Sequence, residues 1–368
     1  MIVLTSGLEY DDRVRKEALS LKQLGCEVFI LANYTSNVSS KGLTQYGIPY
    51  RAVRLRSRAI FASKRFLILK MFEFWIISMW KIIKGKYNVV WAHEEYTILS
   101  LLVKFPKVSY VFDQHELPEF LIATNFRKNL YRRIENVSDI ILVANEDRLE
   151  FMRKSGLIKK PHKYCVLNNY PDKVFSGLEV MDLPSKINIW LQGSEYILLQ
   201  GGGHFNRYPS EVFTAVKRHA KFKIVLLGPV YDKLKEEIAQ NYSDMVYLTG
   251  YVDQLELTRY IDHSKFSIIL YANTDDNNFL CEPNRLYQAV CRGIPVIVGI
   301  NPPMKHIVLK HKIGEVLSDD GNSVDGIYEA ILRMEENYVK YKEKITNIKY
   351  IYNWEDQLPK ISNILYLI

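Results

Sequence analysis

The chain has 368 residues, 48% of them hydrophobic and 24% charged. This balance is ordinary for a soluble globular protein and argues against disorder, collagen or a repeat array. Lys plus Arg outnumber Asp plus Glu by 49 to 41, a net charge of +8, which favours anionic partners: nucleotide phosphates, nucleic acid or an anionic membrane face.

At roughly 150 residues per domain, the length suggests two domains. Residues 1–5 predict a strand. Asp11 is placed to cap a helix whose apolar face is Val14, Ala18, Leu21 and Leu24, and Gly25 ends it. Further strands are expected at 27–32, 88–91, 109–112 and 139–143. Strands separated by helices imply parallel βαβ units with right-handed crossovers. Residues 171–195, with Pro171 and Pro184, break the rhythm as a linker would. The alternation resumes with strands at 196–200, 223–227, 245–248, 266–270 and 295–298. Two similar α/β halves joined near residue 180 follow. Ligands of such sheets bind outside the carboxyl ends of the strands.

Cys26, Cys165, Cys281 and Cys291 form no CxxC pair, and a core of this size needs no staples, so a reducing compartment is expected. No signal-peptide pattern opens the chain. The most apolar stretch, 66–83, is interrupted by Lys70, Glu73 and Lys81, which argues against a spanning helix of about 20 apolar residues.

After the strand at 196–200 comes Gly201-Gly202-Gly203-His204-Phe205-Asn206-Arg207. Its glycines allow close backbone approach to a phosphate, with Arg207 as a positive charge; a tight βα turn is the simpler reading. Asn206 stands where GxGxxG would need its third glycine, which argues against a nicotinamide oxidoreductase. Residues 281–290 (CEPNRLYQAV) predict a helix starting near Pro283, with Leu286, Ala289 and Val290 inward and Arg285 and Gln288 on the other face. Its N-terminus is a ready anion site that Arg285 reinforces; a solvated arginine on a surface helix is the alternative.

These segments, in this order, resemble the GT-B glycosyltransferases of glycosyltransferase family 4 (group 1). The resemblance rests on Asp12 to Leu21 with Gly25 and Val28, Asp113-Gln114-His115-Glu116-Leu117-Pro118-Glu119, and Asn168-Asn169-Tyr170-Pro171. In the second half it rests on Gly201-Gly202, Gly228, Gly250-Tyr251-Val252, Pro283-Asn284-Arg285 and Gly293-Ile294-Pro295-Val296. The resemblance implies two Rossmann-like, doubly wound parallel-sheet domains facing a central cleft. An acceptor domain would span 1–175, a donor domain 190–350, and a C-terminal helix (351–368) would return to the first domain.

For the donor it implies contacts from Gly7, Gly202, Gly203, Arg207, Tyr251, Val252, Glu282, Asn284, Arg285 and Gln288. Two glutamates that many members carry are Leu280 and Gln288 here, and a common lysine is Arg285. The amide of Gln288 can still hydrogen-bond a ribose hydroxyl, and Glu282 is placed to act for Leu280. On the acceptor side, His93-Glu94 and His115-Glu116 each follow a strand. A histidine beside a carboxylate can orient a sugar hydroxyl or move a proton; a satisfied interdomain hydrogen bond is the structural alternative for either. Glu116 would be the base of an inverting reaction.

No HExxH or paired metal-ligand spacing occurs, so a metal-independent hexosyltransferase is expected, with helix dipole and arginines neutralising the leaving diphosphate. UDP- or GDP-sugar would be the donor, as substrate, with no separate cofactor and no nucleic-acid partner. The acceptor would be a saccharide or lipid-linked saccharide of a bacterial surface polysaccharide. Arg51, Arg54, Arg56, Arg58, Lys64 and Arg65 precede an aromatic, apolar run. That pattern suits peripheral attachment at the inner face of the plasma membrane; a buried crossover helix behind a solvated loop is the alternative. A nucleotide-sugar epimerase and a non-enzymatic nucleotide- or anion-binding protein are the competing readings.

Overall fold

Runs such as IVLT, VVWAH and YILLQ are apolar on both faces, as strands between two helical layers must be. The computed structural model describes the chain except residues 7, 9–11, 35–38, 61–65 and 119–123, and the side chains of 59, 125 and 126. The first sheet holds β1 (Ile2–Thr5), β2 (Phe29–Asn33), β3 (Lys41–Leu43), β4 (Pro49–Val53), β5 (Val89–His93), β6 (Ser109–Gln114), β7 (Ile140–Val143) and β8 (Tyr164–Val166). Its order is β3-β4-β2-β1-β5-β6-β7-β8, parallel throughout except for the β3–β4 edge pair. The second holds β9 (Tyr196–Gln200), β10 (Lys223–Leu227), β11 (Val246–Gly250), β12 (Ser267–Ile269), β13 (Val296–Val298) and β14 (Gly314–Val316). It is wholly parallel, in the order β11-β10-β9-β12-β13-β14.

All ten expected strands are present, and the order in each sheet is that of a doubly wound α/β layer. Four strands were not expected: β3, β4, β8 and β14. In β14, glycine is required by packing, because a Cβ on Gly314 would lie 1.8 Å from the carbonyl oxygen of Val296 on the neighbouring strand.

The chain divides into two compact units, residues 1–168 with 356–368, and residues 169–355. Residues 171–195, expected as a linker, belong to the second. Its helix Ser185–Leu191 buries Ile187 and Leu191 in that unit's core beside Phe175 and Leu183. The last helix, Leu358–Leu367, belongs to the first unit. It buries Ile361 and Ile364 there, Lys360 donates to the Val166 carbonyl at 3.0 Å, and Ser109 Oγ donates to the Ile368 carbonyl at 2.8 Å.

Helix α1 (Asp12–Gln23) buries Val14, Ala18 and Leu21 as expected, whereas Leu24, just past its end, is exposed. Asp11 lies outside the described residues. The same helix also buries Arg13, Lys16, Glu17 and Ser20. A helix with charge on its inner face needs partners there, and those partners mark the first site.

Candidate functional site

In the first unit, charged groups gather at the carboxyl ends of β1, β5 and β6. Asp113 is fully buried on β6 and accepts a bidentate pair from Arg13, with Nε to Oδ2 and Nη2 to Oδ1 both 2.6 Å. Arg13 Nη1 donates to the Leu167 carbonyl at 2.7 Å. His93, also fully buried, sets Nδ1 3.1 Å from Asp113 Oδ2, and His115 sets Nε2 2.8 Å from the same oxygen. The other ring nitrogen of His115 lies 3.1 Å from Glu94 Oε1, and Ser6 Oγ donates to Glu94 Oε2 at 3.0 Å. Glu17 accepts from Trp91 Nε1 at 2.6 Å and lies 3.0 Å from Arg13.

Two buried carboxylates thus compete for one guanidinium. Arg13 grips Asp113 with two short bonds and Glu17 with one longer contact. Burial alone would raise Asp113, but Arg13 and His115 outweigh it and hold that carboxyl well below its usual range. Burial and the charge of Asp113 push Glu17 well above its usual range. Negative charge is therefore favoured on Asp113, and Glu17 is the one of the two that holds its proton more tightly. The hydrogen bond from His115 holds Glu94 low, against burial.

Glu94 also carries backbone strain, at φ 60° and ψ 171°. This region is almost confined to glycine and costs a side-chain residue about 1–3 kcal/mol, a pattern found at functional sites. The strain turns its carboxylate onto His115, while its N–H donates to the Asp113 carbonyl at 3.0 Å. Within the network, His115 and Glu94 have side chains 15% and 40% exposed, so these two can meet a substrate; His93, Asp113 and Glu17 are buried behind them. Glu116 is exposed and outside the network.

His93 Nδ1, Asp113 Oδ2 and His115 Nε2 lie within 4.8 Å of one another, the geometry of a three-ligand metal set. Arg13 already neutralises Asp113 through both oxygens, and a cation there would sit against the guanidinium. The arrangement is that of a proton-sharing cluster.

In the second unit, a cavity of about 340 Å³ lies at the strand ends, lined by Gln200, Gly201, Gln254, Tyr271, Pro283, Asn284, Arg285 and Gln288. Helix Asn284–Cys291 starts on it, with extended Pro283 before the first turn. Its first N–H groups and positive dipole end therefore point at the cavity. Arg285 donates through Nη1 to the Gln200 carbonyl, and its guanidinium lies 5.2 Å from the Tyr271 ring. Arg207 stacks on the same ring at 3.1 Å and donates to the Leu270 carbonyl at 3.4 Å, leaving its buried Nε without a partner. Burial first, and Arg285 second, lower Arg207 to about 10. Among the described residues, no carboxylate forms a salt bridge with either arginine. Arg285 lines the cavity and Arg207 is not among its lining residues, but the two guanidiniums share the Tyr271 ring and concentrate positive charge there.

The remaining sequence candidates fall at varied distances from this cavity. Gln288 is buried and accepts from Gln200 Nε2 at 2.6 Å. Gly202 and Gly203 point inward instead. A Cβ on Gly203 would meet the Pro229 carbonyl oxygen at 2.6 Å, so its smallness serves the turn. Gly201, at φ +64°, is the glycine that faces the cavity, and a Cβ there would come within 3.2 Å of Arg285. Glu282 accepts from Tyr287 Oη, within a cluster where Tyr287 packs on Tyr170 and Tyr352 at 4.6 and 4.9 Å. Tyr251 is exposed, Val252 packs toward the core, and Gln254 is the residue of that loop on the cavity. Gly7 lies outside the described residues. Leu280 is a buried apolar residue.

No family model matches the sequence, and no curated protein matches it. Solved structures do match over the whole chain. Sucrose-phosphate synthase from Thermosynechococcus elongatus is similar with a TM-score of 0.76 at 15% identity, covering 99% of this chain and 98% of that one. Anabaena HepE, solved in complex with UDP, gives 0.72 at 12% identity, covering 100% and 99%. WaaG, a glycosyltransferase involved in lipopolysaccharide biosynthesis, gives 0.67 at 11% identity, covering 99% of each. The chain therefore has the GT-B fold. A putative UDP-N-acetylglucosamine 2-epimerase from Listeria monocytogenes shares it, with a TM-score of 0.66 at 11% identity over 98% and 94% of the two chains. The fold alone does not separate transfer from epimerisation.

Proposed function

We propose that this chain is a glycosyltransferase that moves a hexosyl group from a UDP- or GDP-sugar to a saccharide or lipid-linked saccharide, in the building of a bacterial surface polysaccharide. The observation that carries the reading is the pair Arg207 and Arg285 on Tyr271, without a carboxylate partner among the described residues, beside a helix N-terminus. A sugar diphosphate leaving group develops its charge there. Fixed guanidiniums and backbone N–H groups stabilise it without reorganising, in the role a divalent cation plays elsewhere. The 169–355 unit is then the donor domain, and Gln288 and Gln200 are placed for the ribose hydroxyls.

The 1–168 unit is the acceptor domain. His115 and Glu94, the exposed members of its network, would orient the acceptor hydroxyl, with Asp113 and Arg13 fixing the imidazole behind them. The leaving phosphate can take the hydroxyl's proton in a retaining reaction, and Glu94 or Glu116 in an inverting one. We extend the reading to peripheral attachment at an anionic membrane face, where a lipid-linked acceptor would lie.

The test is calorimetric titration with UDP, GDP and their sugars, followed by product analysis with and without saccharide acceptors. A glycosyltransferase binds the nucleoside diphosphate and forms a new glycoside only when acceptor is present. Conversion of a UDP-N-acetylhexosamine without acceptor would instead establish the epimerase. Absence of any nucleotide binding would leave an anion-binding protein.

A further inference from the structure

Helix α2 (Arg56–Ile60) and helix α3 (Leu67–Gly85) lie between β4 and β5. A surface helix ordinarily confines its apolar residues to the inward face, whereas α3 carries them on both faces. Its buried residues include Lys70 and Ser78 beside Phe74, Met79 and Ile82. Its outward stripe is Ile68, Phe72, Ile76, Trp80 and Ile83, exposed by 72, 47, 50, 50 and 63%. At 1.5 Å per residue the stripe runs about 22 Å along one face. An exposed apolar strip of that length marks an interaction surface.

The polar groups around the stripe identify its partner. Lys84 Nζ lies 4.5 Å from the Trp80 ring centroid and Lys81 Nζ 6.0 Å from it. A groove lined by Ile83, Lys86, Phe105 and Lys107 continues the face past the C-terminal end. Near the other end, Arg56 and Arg58 on α2 are exposed. The single acid of α3, Glu73, is turned onto α2, accepting the Arg56 and Ser57 N–H groups at 2.7 and 2.9 Å. Two copies of this chain paired through the stripe would bring like charges together, because a twofold interface sets each surface on its own copy. An anionic bilayer complements both the cations and the apolar stripe. No helix among the described residues is long and apolar enough to cross a membrane.

We propose that α3 is a membrane-docking helix that lies along an anionic lipid surface, with Ile68, Phe72, Ile76, Trp80 and Ile83 in the acyl boundary and Lys81, Lys84 and Lys86 at the phosphates. Lys64 and Arg65, also expected to act here, lie outside the described residues. Arg54 is occupied by Tyr34, stacked at 4.1 Å from its ring and donating to its hydroxyl at 2.7 Å.

The experiment is co-sedimentation of the full chain with vesicles of phosphatidylglycerol and phosphatidylcholine, against phosphatidylcholine alone, at low and high salt. The mixture contains no sugar nucleotide, so its outcome is independent of the glycosyltransferase reading. The expected result is binding to the anionic vesicles only, released by salt. Lys81→Gln/Lys84→Gln/Lys86→Gln should weaken binding at least tenfold, and Phe72→Ser/Ile76→Ser should do the same with an unchanged melting temperature. These side chains are at the surface, so both variants should fold, as circular dichroism would verify. Equal binding to neutral vesicles, or anionic binding undiminished in both variants, would overturn the proposal. So would no binding to the anionic vesicles at low salt; if light scattering then finds a dimer that Phe72→Ser/Ile76→Ser makes a monomer, the stripe is covered by a second copy instead.

Discussion

The two charged sites of this molecule are built on opposite principles. In the first unit, Arg13, Asp113, His93, His115 and Glu94 are tied to one another, with only the far ring nitrogen of His93 left without a partner among their described atoms, and Glu17 beside them is pushed well above the usual carboxylate range. In the second, Arg207 and Arg285 share a tyrosine ring and repel each other. A closed network holds its shape and adds stability to the fold, whereas an open pair of cations stores unfavourable energy until an anion arrives. On the proposed reading, the first positions the acceptor and the second binds the donor.

Breaking the closed network should have the largest effect. Asp113→Ala leaves Arg13 buried without its main counter-charge and strips both histidines of their shared acceptor. Removing one partner of a buried pair typically costs about 3–5 kcal/mol. The chemical-denaturation midpoint should fall accordingly, with nucleotide affinity in the folded fraction nearly unchanged. A loss below about 1 kcal/mol would mean that the network is not closed.

The open site should answer the other way. Arg285→Ala gives up one bond to the Gln200 carbonyl but relieves Arg207, so stability should change by less than about 1 kcal/mol. Affinity for UDP or GDP should fall by the value of one charge-assisted contact, about 1.5–3 kcal/mol, or roughly ten- to a hundredfold. Unchanged affinity in a folded variant would remove Arg285 from the anion site.

How much of this was legible follows from where the signal lies. The core strands were, because β1, β5, β9 and β10 are unbroken apolar runs. β4 was not, because it opens on Pro49 and exposes Arg51, and only Tyr50, Ala52 and Val53 face inward; a proline is tolerated at a strand's first residue. β14 hid behind Glu315, whose charge is met by Arg333 at 2.9 Å from helix Val324–Ile348. His93 and His115 stood out as histidines beside acids at strand ends. Arg13 and Glu17 did not, since charged residues on a helix read as its solvated side. The strain at Glu94 leaves no trace in composition or spacing. The triple glycine drew attention to Gly202 and Gly203, yet only the fold tells that Gly201 is the one facing the cavity. In 66–83, hydrophobicity alone fitted both a buried helix and an interfacial one, because periodicity reports a stripe and not the side of the helix it faces.

The smallest effect concerns the proton on Glu17, and its sign can be worked out. An ordinary glutamate in the unfolded chain loses its proton near about 4.3. In the folded chain burial and Asp113 hold Glu17 well above its usual range. Between those two values the native state binds the extra proton, so stability falls as pH rises, by at most about 1.4 kcal/mol per pH unit for one group. Asp113 and Glu94 are held low in the folded state, so their contribution is lost only as pH falls below about 4, outside that window. Glu17→Gln keeps a neutral side chain of the same shape and removes the titration. Every other titratable group is common to the two proteins, so the difference between them isolates Glu17. Urea midpoints measured from pH 5 to 8 should show the variant gaining on the natural protein as pH rises. A difference that stays flat over this range would mean that Glu17 is ionised, and that Arg13 serves two anions.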